Sequence, residues 1–210
     1  MKNPPDFTRG NSLSRYGLAI HTSGPRLGLA IDNRQGDREF RSWDLDRDLS
    51  NFLHQHLREF LVPRTWEDVE FLAVAKGPGS FTSTRVGIVT ARTLAQQFDL
   101  PLYPISSLAA YARSRREYYP DGTYLALQMP ATREKIYTAI YRGDSVYLAD
   151  TLTAPEAWSS TLKGLTVPYQ FLEVPNDLGC TALDLLDLAY LDRDAGKPGY
   201  WADALPFYGG

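Results

Sequence analysis

Two short apolar runs open the pattern, YGLAIHTS at 16–23 and LGLAID at 27–32, with Gly24-Pro25 between them. Gly admits unusual φ values and Pro fixes one, so an antiparallel hairpin is predicted. A third strand is expected at 38–43, after a turn at Gly36. The period then changes. Leu49, Phe52, Leu53, Leu57, Phe60 and Leu61 recur at intervals of three and four, which predicts an amphipathic helix over 48–61, ended by Pro63. Thr65 and Asp68 have the spacing of a helix-start box. A strand at 70–75, a glycine-rich loop and a helix at 82–97 follow. A buried strand at 101–105 and a serine-capped helix at 106–116 complete this half.

The order is thus three meandering strands, then helix, strand, helix, strand, helix. The first three strands can pair antiparallel, and the next two can join by right-handed crossovers. That order matches the core of actin-like and ribonuclease-H-like folds. A Rossmann domain opens instead with parallel βαβ units. In the second half, strands are expected at 124–128, 135–141 and 145–148, and helices at 154–161 and 182–194. The turn cluster Pro120-Asp121-Gly122 suggests a boundary. The expected organisation is a loose extension at 1–15, a first lobe at 16–118 and a smaller second lobe with the C-terminal segment at 119–210.

Composition narrows the function classes. The 210 residues carry a formal net charge of −3, so no global basic field draws the chain to RNA or anionic membrane. Cys180 is the single cysteine, which precludes an internal disulfide. No apolar stretch is long enough for a membrane helix, and the polar start lacks the apolar centre of a secretory signal; a cytoplasmic location is expected.

The loop AKGPGSFTSTR lies between strand and helix, where free N–H groups can meet an anion. It is not a P-loop, because Lys76 precedes the glycines and Ser80-Phe81 follows Gly79. Nor is it a dinucleotide fingerprint, since Thr82 stands where the third glycine belongs. Gly77, Pro78, Gly79, Ser80, Phe81 and Thr82 read equally as a tight turn with a helix cap. In the following helix, Gly87, Ala91 and Ala95 are spaced by four and permit close approach of another backbone. No metal is expected: His54 and His56 are two apart on a helix and point in different directions. Ser80 has no histidine at a recognisable spacing for a serine mechanism. Arg113, Arg115 and Arg116, with tyrosines nearby, suit either an RNA contact or a solvated helix end.

GPGSFTSTRVGIVTARTLAQQFDLPLYPISSL resembles the signature of the bacterial TsaB (YeaZ) family, which reads close to GPGSFTGxRxGxxxAxGLAxxxxxPxxxxSSL. LAIHTSGPRLGLAID is similar to that family's opening hairpin, and ALPFY at 204–208 to its closing strand. The resemblance implies a two-lobed actin-like fold in which each lobe has a mixed sheet flanked by helices. It implies a non-catalytic scaffold that supports a TsaD-like catalytic subunit in forming N6-threonylcarbamoyladenosine on tRNAs reading A-starting codons. A TsaE-like ATPase would join through the complex, tRNA would be met only indirectly, no cofactor is implied, and the chain alone would self-associate through the same surface. By helical face and family similarity, the partner interface is expected at Leu49, Phe52, Leu53 and His56 of the first helix. On the second it is expected at Arg85, Val89, Arg92 and Thr93.

Three departures stand out. His21 replaces the family's aspartate in the first turn, and Ser83 replaces a glycine after the loop. Pro130, Thr132 and Lys135 replace charged positions of an Asp-Ala-Arg…Glu-Val-Tyr pattern. They weigh against the alternative, an actin-like ATPase or glycoprotease-like enzyme working through the 77–82 loop, because neutral imidazole is a poor magnesium ligand.

Overall fold

The computed structural model describes residues 15–209. Residues 1–14, most of the expected extension, lie outside the described residues. The hairpin forms from β1 (Tyr16–His21) and β2 (Arg26–Asp32), and β3 (Arg38–Asp44) extends it antiparallel. Helix α1 (Leu49–Leu61) leads to a short turn with the Thr65–Asp68 capping box in place. β4 (Val69–Ala75), α2 (Phe81–Phe98), β5 (Leu102–Ile105) and α3 (Ser107–Arg115) follow. The five strands lie in the order β3-β2-β1-β4-β5, with β1, β4 and β5 mutually parallel.

The second sheet contains β6 (Tyr124–Pro130), β7 (Ile136–Arg142), β8 (Ser145–Thr153) and β9 (Tyr169–Glu173), in the order β8-β7-β6-β9. Helix α4 (Pro155–Lys163) inserts Trp158 beside Ala126 and Ile140. Chain order then reverses: α5 (Ala182–Asp194) returns to the first sheet. Together the two sheets and their helices form the actin-like (ribonuclease-H-like) fold.

Strand alternation explains why both faces of the first sheet are dry. Leu18, Ile20, Leu29, Ile31, Leu72 and Val74 point toward α1 and α2. Ala19, Ala30, Phe71 and Ala73 point the other way, and Leu185, Leu186, Ala189 and Tyr190 of α5 fill the space above them. The second face is lined by small residues because a helix lies close over it. Tyr190 Oη accepts from Gly17 N at 3.0 Å and donates to Asp32 O at 2.5 Å. Gly17 is needed there, since a Cβ would stand 2.4 Å from the Phe71 ring.

Two expectations need correction. The ALPFY segment is not a strand. Pro206 lacks the amide donor a ladder needs, and the segment is tied instead by Phe207 N donating to Lys76 O at 2.8 Å. Strand β9 is absent from the expected elements, because as a solvent-facing edge strand it carries little buried alternation.

Candidate functional site

The parallel strands β1 and β4 end side by side, so the turn after β1 meets the glycine loop after β4. Ser80 N donates to Ser23 O at 2.7 Å, and Ser107 Oγ lies 2.8 Å from Ser23 Oγ. The loop glycines follow from this contact. Gly77 sits at φ +94°, and a Cβ on Gly79 would stand 2.1 Å from Ser23 O. Pro78 is buried between them, while Phe81 and Thr82 face solvent. Ser80, rather than Thr82, caps α2: its Oγ accepts from Ser83 N at 3.4 Å and lies 2.9 Å from Ser83 Oγ. The Ser83 departure from the family pattern therefore contributes to the cap. The Ser80 hydroxyl is engaged with Ser83 and with no imidazole.

His21 is fully buried. Desolvation pushes its pKa down to about 3, so the ring is neutral, and its Nδ1 accepts from Ser23 N at 3.4 Å. Beside this turn a cleft of about 570 Å³ opens between the sheets. Ser23, Gly79 and Ser80 form one wall; Met129, Pro130, Thr132 and Tyr137 form the other. No residue lining it carries a charge. Lys135 is exposed and lies outside the cleft.

The outer surface of α1 and α2 is chemically different. Phe52 is 43% exposed, Val89 63% and Phe81 57%, so each turns much of a large apolar side chain to solvent. His56 stacks on Trp43 with centroids 4.5 Å apart, and the Phe52 ring lies tilted to it at 6.4 Å. Arg85 lies over the Phe81 ring at 3.6 Å and donates from Nε to Tyr208 Oη at 2.7 Å. Arg92 lies 5.4 Å from the Trp201 ring centre, and Thr93 is exposed with its hydroxyl turned back to Val89 O. The C-terminal residues Trp201 and Tyr208 thus border the α2 face, a participation that sequence periodicity does not signal.

Six of the eight expected interface residues reach solvent, Phe52, Arg85, Val89 and Thr93 openly and His56 and Arg92 in part. Leu49 and Leu53 do not: they are 3% and 1% exposed and fill the core beneath α1. The apolar stripe of α1 is wider than the side that faces the sheet, so helical spacing groups core and surface residues together. Gly87, Ala91 and Ala95 also face inward and serve the chain's own packing. Arg113 is engaged by Asp187 and Asp144, and Arg116 by Asp144, so these two are not free for phosphate. Among the described residues, no group of three His, Cys, Asp or Glu stands close enough to hold a metal, and no helix is long and apolar enough to cross a membrane.

The family model described as TsaD, tRNA N6-adenosine threonylcarbamoyltransferase, matches residues 49–177. The chain belongs to the family of TsaD and TsaB (YeaZ) proteins. Its TsaB-like character rests on relatives of that name. The TsaB of Bacillus subtilis is 33% identical over 110 residues, 50% of this chain and 47% of that one. The TsaB of Haemophilus influenzae is 38% identical over 74 residues, 35% of this chain and 31% of that one. These matches span half or less of the relatives' length. YeaZ from Pseudomonas aeruginosa superposes with a TM-score of 0.74 at 21% identity, over 92% of this chain and 99% of that structure, which establishes a common fold.

Proposed function

We propose that the chain is a non-catalytic, TsaB-like scaffold subunit in the biosynthesis of N6-threonylcarbamoyladenosine on tRNA, and that it docks a TsaD-like catalytic subunit. The observation that carries this reading is the solvent-facing apolar surface on α1 and α2, centred on Phe52 and Val89. Side chains of this kind lose water favourably only when another surface covers them. Arg85 and Arg92, each over an aromatic ring, give that surface cations already held near its apolar groups. The uncharged cleft supports the non-catalytic part. No carboxylate, ammonium or guanidinium group lines that space to serve as general base, metal ligand or charge clamp. In this reading a TsaE-like ATPase joins through the complex, tRNA is met through the partner, and the free chain self-associates by the same surface.

The test is size-exclusion chromatography with light scattering on this protein mixed with the TsaD-like protein of its own organism. A one-to-one complex is expected, weakened at least tenfold by Phe52→Glu or Val89→Glu and unaffected by Tyr147→Glu on the second sheet. Failure to associate at tens of micromolar, with a TsaE-like protein and nucleotide present, overturns the scaffold reading; so does micromolar, magnesium-dependent ATP binding by the isolated chain.

A further inference from the structure

A second cavity, of about 330 Å³, shares no lining residue with the cleft. It lies where the end of β5 and the start of α3 face the β7–β8 hairpin. Its charged and polar groups come from separate elements: Lys76 follows β4, Ser106 caps α3, Tyr141 is on β7 and Asp150 on β8. Tyr141 Oη donates to Asp150 Oδ1 at 2.7 Å and stands 3.3 Å from Ser106 Oγ. Ile105, Ala109, Val146, Leu188 and Phe207 supply apolar walls.

Asp150 is the unusual member. Surrounding protein pushes its carboxyl above the usual range, while hydrogen bonds from Ser106 and Tyr141 and the charge of Lys76 pull it back. The residue nevertheless keeps some accessible surface and lines the cavity. A carboxylate in such a place gains from a cation brought to it. Lys76 forms no salt bridge with Asp150 or with any other carboxylate among the described residues. Asp144 and Lys197, by contrast, are already paired, with Arg113 and Asp192 respectively. Lys76 and Asp150 are thus the two charged groups of this lining that form no salt bridge.

We propose that this cavity is a binding site for a small zwitterion, an α-amino acid with a short apolar side chain. Its ammonium group meets Asp150, its carboxylate meets Lys76, and its side chain lies among Ile105, Ala109, Val146 and Leu188. The volume is at the small end of ligand sites, which suits a molecule of this size. The ammonium and carboxylate leave one carbon in different directions, so two opposite protein charges fix the orientation. Each charge also rejects analogues that lack its counterpart, because an unpaired charge in a largely apolar site is costly. The site neither uses the α1–α2 surface nor depends on the scaffold reading.

The test is calorimetry or ligand-observed NMR on the full chain with L-valine, N-acetyl-L-valine and L-valinamide. Saturable binding of L-valine with a dissociation constant of about 1 mM or tighter is expected, with each one-charge analogue at least tenfold weaker. Asp150→Asn and Lys76→Met should each weaken L-valine binding at least tenfold. If Asp150→Asn fails to fold, Lys76→Met, on a partly exposed side chain, carries the test. No saturation by about 10 mM, equal binding of the two analogues, or wild-type affinity in Lys76→Met overturns the proposal.

Discussion

Gly87 on α2 lies against Thr22, so close that a Cβ at position 87 would stand 2.1 Å from the Thr22 hydroxyl oxygen. An exposed helical Gly→Ala change ordinarily stabilises by about 1 kcal/mol. Here the sign reverses. Gly87→Ala must push α2 off the β1 turn and is expected to cost about 1–3 kcal/mol, as overpacking does. Denaturant melts of the two proteins check this. Equal or raised stability of the variant contradicts the contact.

Tyr190 ties α5 to the first sheet through two backbone groups, Gly17 N and Asp32 O. Tyr190→Phe keeps the ring packed edge-on against Phe71, with centroids 4.8 Å apart, and removes only the hydroxyl. Leaving those buried groups unsatisfied is expected to cost about 1–3 kcal/mol, read as a fall of several degrees in thermal midpoint. A change below half a kcal/mol (roughly the scatter for surface substitutions) contradicts the assignment.

The pH dependence has two opposing parts. His21 titrates near 6.5 when unfolded and is pushed down to about 3 by burial. The unfolded chain therefore binds the extra proton, and this stability, complete above pH 6.5, is lost as pH falls toward 3. Burial, aided by the charge of Asp187, pushes Asp184 up to about 6 from 3.8. There the folded chain binds the extra proton, so stability is gained as pH falls from about 6 to 3.8. The two slopes oppose each other between about pH 4 and 6, and only the His21 loss continues below. Asp184→Asn is expected to raise stability at neutral pH, and its advantage should vanish near pH 4. Melting midpoints across that range check both signs; an advantage that persists at pH 4 refutes the Asp184 part.

Arg113 bridges α3 to α5 and to the β7–β8 turn through Asp187 and Asp144, and its side chain is only 12% exposed. Arg113→Ala is expected to destabilise by about 1.5–3 kcal/mol, the loss of charge-assisted hydrogen bonds. It should leave the salt dependence of tRNA binding in the proposed complex unchanged, where loss of one phosphate contact would flatten the log–log slope by about 0.7–0.9. A flattened slope with intact stability restores the RNA-contact reading.

The first half of the fold was legible because each element there has its own local signal. β1 and β2 carry apolar runs around Gly24-Pro25, α2 has Ser80 as its cap, and Thr65 and Asp68 form their box. Partnership between distant segments had no such signal. Nothing in ALDLLDLAYLDRD says that it packs on strands more than 100 residues earlier, and its apolar residues are spread around the helix. The glycine loop was readable as a cap, and Phe52 and Val89 as surface. Leu49 and Leu53 were not separable from Phe52, since adjacent positions on one helix differ by only 100° and the sheet covers only part of that arc. The cavity around Asp150 was invisible, because its polar residues come from four elements joined only by tertiary packing.

The late return of α5 to the first sheet has a consequence for synthesis. When Ile105 leaves the ribosome, all five strands of that sheet exist, but the alanine-rich face with Phe71 lacks its α5 cover until Asp194 follows. At about 5–20 residues per second this interval is on the order of ten seconds. During it the nascent chain carries an open apolar surface, the kind that chaperones bind. The sheet is finished only by a helix made long after its own last strand.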